Sequence, residues 1–206
     1  MLAAAPVNLA IIAITCLISF AAFSNPRLIE RFVLWPPAIR RQHQYDRLLT
    51  CGFVHADFGH LFFNMFTLFS FGAAMEQGFR PYIGETGYAL FYATAVVLSV
   101  LPSYLRHRND ANYRSLGASG AVSAVLFAYI LVRPWSMILV FVVPVPAIVF
   151  ALLYLGYTIY MDKRQTDRIN HSAHLWGAVY GIVFTIALEP RVVPQFLEKL
   201  AHPQFG

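Results

Sequence analysis

The sequence predicts an all-α, polytopic membrane protein with six transmembrane helices in one bundle. Three observations carry that prediction. Of the 206 residues, 58% are hydrophobic and only 12% charged, whereas globular chains are about half apolar and a quarter charged, so a soluble interior could not hide this much apolar surface. The apolar residues gather into runs of spanning length, and about 20 residues per span plus connections leaves room for six. Backbone polar groups in hydrocarbon must be satisfied within their own segment, which for continuous apolar runs means α-helices.

The first span is expected at about 7–23. No Lys or Arg precedes it, so it reads as a retained span and not as a signal peptide. Cys16 sits inside it and Cys51 in the next loop, which argues against a disulfide framework. That loop, 24–57, carries Pro36-Pro37 and Arg40-Arg41 and suits an interfacial or solvated segment. Spans two and three are expected at about 58–77 and 86–103, divided by Arg80-Pro81, and span four at about 116–132, after the polar stretch 106–114. In the long run 135–160, Pro144 and Pro146 remove backbone donors and push the residues before them towards extended geometry, which places span five at about 144–161. Span six, about 171–188, follows a polar loop at 162–170, and the tail from Glu189 is short and mixed in charge. No internal repeat or low-complexity tract is visible.

Small residues indicate which helix faces meet. Gly120, Ala124 and Ala128 recur every fourth position in span four, and Ala173, Gly177 and Gly181 do so in span six, so these helices can approach closely. Polar residues inside a bilayer are costly and face the bundle interior. His60 and Asn64, four apart, share one face of span two, with His55 just ahead. Ser119 stands near the start of span four and His174 near the start of span six. All lie at the beginnings of even-numbered spans, so an alternating thread brings serine, imidazole and amide to the same side. His174, Gly177, Ala178 and Gly181 follow one helical face. Gly117 and Gly120 remove bulk on both sides of Ser119, which lets another backbone reach the hydroxyl. Span four is short, so it can begin below the membrane surface with water above Ser119.

Together these residues resemble the rhomboid intramembrane serine proteases, on three motifs: Gly117-Ala118-Ser119-Gly120, Ala173-His174 with Gly177 and Gly181, and His55 with His60 and Asn64. The resemblance covers essentially the whole chain, taken as one rhomboid domain over 1–206 of the compact six-span bacterial type. It implies that Ser119 attacks the scissile carbonyl and His174 moves the proton, while the Ser119 N–H, His60 and Asn64 hold the oxyanion. His55 would support the second span and its loop. Arg47 matches a family Arg in the first loop, although the Trp that commonly precedes it is Asp46 here. Ser123 stands where some relatives carry a Tyr stacked on the catalytic imidazole, which leaves open what orients His174. No acid is placed as a third triad member, because Glu76 lies at the opposite end of span two.

Other chemistries fit less well. His171 and His174 with His60 invite a metal reading, but no His-Glu-x-x-His pattern is present, so neither a metal nor a cofactor is expected. An aspartyl mechanism needs two intramembrane Asp residues, and every Asp here falls in a loop or at a span boundary. The net charge of +5 suits anionic membrane lipids and, without a binding motif, implies no nucleic-acid partner. A non-catalytic rhomboid-like protein that binds client transmembrane helices is the alternative class. A solute transporter would show paired half-repeats. By resemblance the substrates are single-span membrane proteins cut where their helix unwinds, with gating at span five, in a bacterial inner membrane. On the family orientation the outer loops carry eleven of the fifteen Lys and Arg, a distribution that by itself favours the reverse insertion.

Overall fold

The computed structural model describes residues 5–140, 142–164 and 169–204. Helix α1 (Pro6–Ser24) opens the chain; α2 (Pro26–Phe32), α3 (Pro36–Gln42), α4 (Arg47–Thr50) and a 3-10 turn (Cys51–Phe53) follow. Then come α5 (Phe58–Arg106), α6 (Ser119–Val132), the strands β1 (Met137–Val140) and β2 (Val143–Pro146), and α7 (Ala147–Arg164), α8 (His171–Leu188) and α9 (Val192–Ala201). The predicted helical class holds. Among the described residues three helices are long and apolar enough to cross a membrane, namely α1, α5 and α8, and α6 is a shorter apolar helix. Part of the expected polar loop, 165–168, lies outside the described residues.

Two boundaries differ from expectation. The break expected at Arg80-Pro81 does not occur there: Pro81 stays inside α5, and the chain turns at Gly84. Gly84 has φ 65° and ψ −173°, a combination open essentially to glycine alone. Proline removes one donor and bends a helix, whereas Gly84 reverses the chain, so α5 is two antiparallel arms, 58–83 and 85–106. Span five begins later than predicted, because Pro144 and Pro146 belong to β2 of an antiparallel hairpin. The tail, short and mixed in charge, forms the amphipathic helix α9.

The core lies where α5, α6 and α8 meet, with α1 packed on the outside of α5. Backbone contact between α6 and α8 explains the glycine spacing. A Cβ at Gly177 would overlap the Gly120 carbonyl, and one at Gly181 the Ala124 carbonyl, so the helices touch through main chain. Glu76, fully buried, accepts from the N–H groups of Val7 (3.1 Å) and Asn8 (2.7 Å). A carboxylate there satisfies donors that a helix start leaves without intrahelical partners. Its place is the start of α1, away from Ser119. Arg47, also buried, donates to the carbonyls of Glu30 (2.7 Å) and Val33 (2.8 Å) and to Gln44 (2.7 Å). Asp46, the residue that departs from the family pattern, pairs with Arg31 at 2.7 Å, so the first loop is held by ion pair and carbonyl staples without the Trp.

Candidate active site

Ser119 is the first residue of α6 and His174 lies in the first turn of α8. Because their helices touch at glycine, the two side chains meet: His174 Nε2 stands 2.7 Å from Ser119 Oγ. Ser119 and His174 are both half-buried. The segment that presents the serine is tied down at each step. Leu34 and Ser115 exchange two backbone hydrogen bonds, at 2.9 and 3.2 Å. The Gly117 N–H donates to the Cys51 carbonyl at 2.9 Å. Gly117 has φ 117°, and a Cβ there would come within 2.5 Å of His60 Cε1, so both backbone conformation and the approach of the imidazole require glycine. Gly120 fits against Ser99, whose side chain a Cβ would overlap.

His55 has a definite structural task. The Ala118 N–H donates to its Nε2 (3.2 Å), so the ring proton sits on Nδ1 and donates to Ser19 Oγ (2.9 Å), which in turn donates to the Phe53 carbonyl (3.0 Å). The chain of bonds connects α1 to the residue just before the serine. Complete burial, with His60 4.9 Å away ring to ring, pushes the His55 pKa down to about 3, so the ring is neutral throughout the neutral range. The Ala118 N–H is thereby committed, and the Ser119 N–H is the first of α6 without an intrahelical acceptor.

His60 and Asn64 stand on the α5 face that meets this segment. The His60 ring lies against Gly117, while the Asn64 side chain donates to its own helix at the His60 carbonyl, 2.9 Å away. One Asn64 N–H is therefore occupied and a second remains.

Two contributors were not singled out from sequence. Tyr154 of α7 lies over the His174 ring, 6.1 Å between centroids and 14° from parallel, and its hydroxyl is 2.8 Å from Ser123 Oγ. Where some relatives place an aromatic ring at position 123, this chain has a small serine there and supplies the ring from the neighbouring helix. Nothing in the sequence marks one tyrosine of an apolar run for that contact. Asn170 is the N-cap of α8: its Oδ1 accepts from the Ala173 N–H (3.0 Å) and from Ser103 (2.8 Å), and its Nδ2 donates to Ser115 Oγ (2.9 Å). It joins the start of the histidine helix to the segment leading into the serine helix. An Asn just before an apolar run is a cap signal and was legible. A polar cavity of about 580 Å3, lined by Ser103, Tyr113, Asp162, Asn170 and His171, opens beside it and reaches to Ser172.

The His171 ring stands edge-on to His174, centroids 5.9 Å apart. Among the described residues no three His, Cys, Asp or Glu side chains are grouped as metal ligands.

The chain as a whole has relatives among known proteins. The family model described as the Rhomboid domain matches residues 42–191. The chain is 30% identical over 148 residues to RHOMBOID-like protein 12, mitochondrial, of Arabidopsis thaliana, covering 66% of this chain and 44% of that one. It is 29% identical over 182 residues to Rhomboid protein 1, mitochondrial, of Saccharomyces cerevisiae, covering 84% and 50%. With the rhomboid protein YdcA of Bacillus subtilis it shares 26% over 142 residues, covering 69% and 66%. The chain thus spans about half to two thirds of the length of these relatives.

Proposed function

This chain belongs to the rhomboid family, an integral membrane family, and on that premise we propose that it is an intramembrane serine endopeptidase acting through a Ser119–His174 dyad. The observation that carries the reading is the 2.7 Å approach of His174 Nε2 to Ser119 Oγ. A nucleophile within hydrogen-bond reach of a base is the requirement for activating a serine.

In this reading six spans cross the membrane: α1, the two arms of α5, α6, α7 and α8. Ser119 Oγ attacks the scissile carbonyl carbon while His174 Nε2 takes its proton. Negative charge collects on the former carbonyl oxygen, where the Ser119 N–H, His60 and the second N–H of Asn64 are the assigned donors. Donors held in place before reaction stabilise that charge without reorganising. Collapse breaks the C–N bond, and His174 returns its proton to the leaving amine. Water, supplied from the polar cavity beside Asn170, then attacks the acyl-enzyme by the same route. The substrates are single-span membrane proteins whose helix unwinds locally, because a hydrogen-bonded helix does not present its carbonyl carbons to a nucleophile.

Labelling of detergent-purified protein by a fluorophosphonate probe tests the reading without knowledge of a substrate. Labelling of the wild type that disappears in both Ser119→Ala and His174→Ala is the expected outcome. Folded wild type that stays unlabelled beside a reacting control hydrolase sinks it and favours the client-binding class.

A further inference from the structure

Between α6 and α7, at the end of α6 remote from Ser119, the β1–β2 hairpin exposes a dense set of apolar side chains. Val142 is 87% exposed, and Met137, Leu139 and Val143 are exposed beside it. On its other face Ile138 is buried in the same cluster as Leu126, Phe127 and Ile130 of α6 and Ala147 and Ala151 of α7. Those α6 residues lie within about 9 Å of the helix end at 1.5 Å per residue. The hairpin therefore folds back beside the last turns of a membrane helix and does not project away from the bundle. Its outer face is continuous in sequence with exposed Val149, Leu152 and Leu153 of α7.

The hairpin's hydrogen bonding fits a dry environment on one edge. Val140 pairs with Val143, Ile138 with Val145, and the Ala147 N–H donates to the Ser136 carbonyl. Bonded pairs alternate along an antiparallel ladder, so residues 144 and 146 face the free edge of β2. Both are proline, and that edge presents no N–H at either position. At the hairpin base the chemistry changes. Trp135 Nε1 donates to the Lys199 carbonyl (2.8 Å) and Lys199 Nζ to the Val132 carbonyl (2.7 Å). Arg133, Trp135, Lys199 and His202 border a cavity of about 800 Å3 between α6 and α9. An aromatic and two cations under an apolar tip reproduce the order of a bilayer from headgroups to acyl chains.

We propose that the β1–β2 hairpin is a lipid anchor: its tip, Leu139, Val142 and Val143, enters the acyl region of the leaflet opposite Ser119, with Arg133, Trp135 and Lys199 at the headgroups. The occupant of the apolar face is the lipid leaflet. Anchoring here fixes the end of α7 that leaves the hairpin directly at Ala147, the helix that carries Tyr154.

The test uses the full chain in vesicles of phosphatidylcholine and phosphatidylglycerol, with a nitroxide at Val142→Cys and, independently, at Leu139→Cys. Both sites are exposed, so neither substitution burdens folding; unsubstituted protein gives the background from Cys16 and Cys51. Collision with dissolved oxygen is expected to exceed collision with a water-soluble nickel chelate at both sites, with the reverse order at an Asp110→Cys control. Chelate exceeding oxygen at 142 and 139 would mark an aqueous face and overturn the proposal. Low access to both reagents also overturns it, because it marks cover by protein, as when another strand pairs with the open Met137 and Leu139 edge of β1.

Discussion

Removing the ring over His174 tests how the base is oriented. Tyr154 offers two separable contacts, the stack on the imidazole and the 2.8 Å hydrogen bond to Ser123. Interhelical hydrogen bonds in membrane proteins contribute about 0.6 kcal/mol on average and up to about 1.7. Aromatic stacking adds about 0.5–1.5 kcal/mol. At about 1.4 kcal/mol per tenfold in rate, Tyr154→Phe should lower the fluorophosphonate labelling rate roughly threefold to fifteenfold, because the ring stays and the hydroxyl goes. Tyr154→Leu removes both contacts and should cost roughly sixfold to two-hundredfold. Ser123→Ala should match Tyr154→Phe, and the double variant should cost no more than either alone, since both delete one bond. Second-order labelling rates, measured on folded protein at constant pH, give each number. A wild-type rate in Tyr154→Leu, or full additivity of Ser123→Ala with Tyr154→Phe, would refute the assignment of Tyr154 as a positioning residue.

Three further outcomes follow from the geometry. Asn64→Ala should lower turnover by about a hundredfold to a thousandfold, the usual effect of losing one oxyanion donor; an unchanged rate removes Asn64 from that role. Glu76→Gln replaces an acceptor of the Val7 and Asn8 N–H groups by a group with a single acceptor oxygen. It should lower the thermal midpoint in detergent by an amount corresponding to about 1–3 kcal/mol, and an unmoved midpoint contradicts the capping account. Labelling of the remaining folded fraction should persist, because Glu76 touches α1 and not the serine. His55 supplies a pH dependence. With its folded pKa pushed down to about 3 by burial and by His60, the unfolded chain binds a proton below about 6.5 that the folded chain refuses. Its contribution is complete above that pH and is lost as pH falls towards 3, with a limiting slope of about 1.4 kcal/mol per pH unit. Unfolding at pH 7, 6 and 5 should show that slope in wild type and its loss in His55→Gln.

The elements legible in the sequence were those whose signal is local. Long apolar runs announced helices, and the four-residue spacing of Gly120/Ala124 and Gly177/Gly181 announced a close contact that the main-chain approach of α6 and α8 bears out. Boundaries were less legible, because proline and glycine at neighbouring positions compete. Pro81 is tolerated within α5 while Gly84, three residues on, makes the turn. At 144 and 146 the prolines read as a helix start, whereas their positions on the free edge of a strand pair satisfy the same loss of donors equally well.

For the site, residue types and their order along the chain were legible: a serine, a histidine and an amide near the starts of apolar helices. Their chemistry and spacing are properties of the chain in order. Their partners come from the packing of the helices, because those lie far apart in sequence. Tyr154 reaches His174 and Ser123 from another helix, Ser19 and His55 connect α1 to Ala118 across 36 and 63 positions, and Asn170 links Ser103 to Ser115. Each is a polar or aromatic group whose local pattern matches many others in the chain, and helix packing alone selects the one that meets the segments carrying Ser119 and His174.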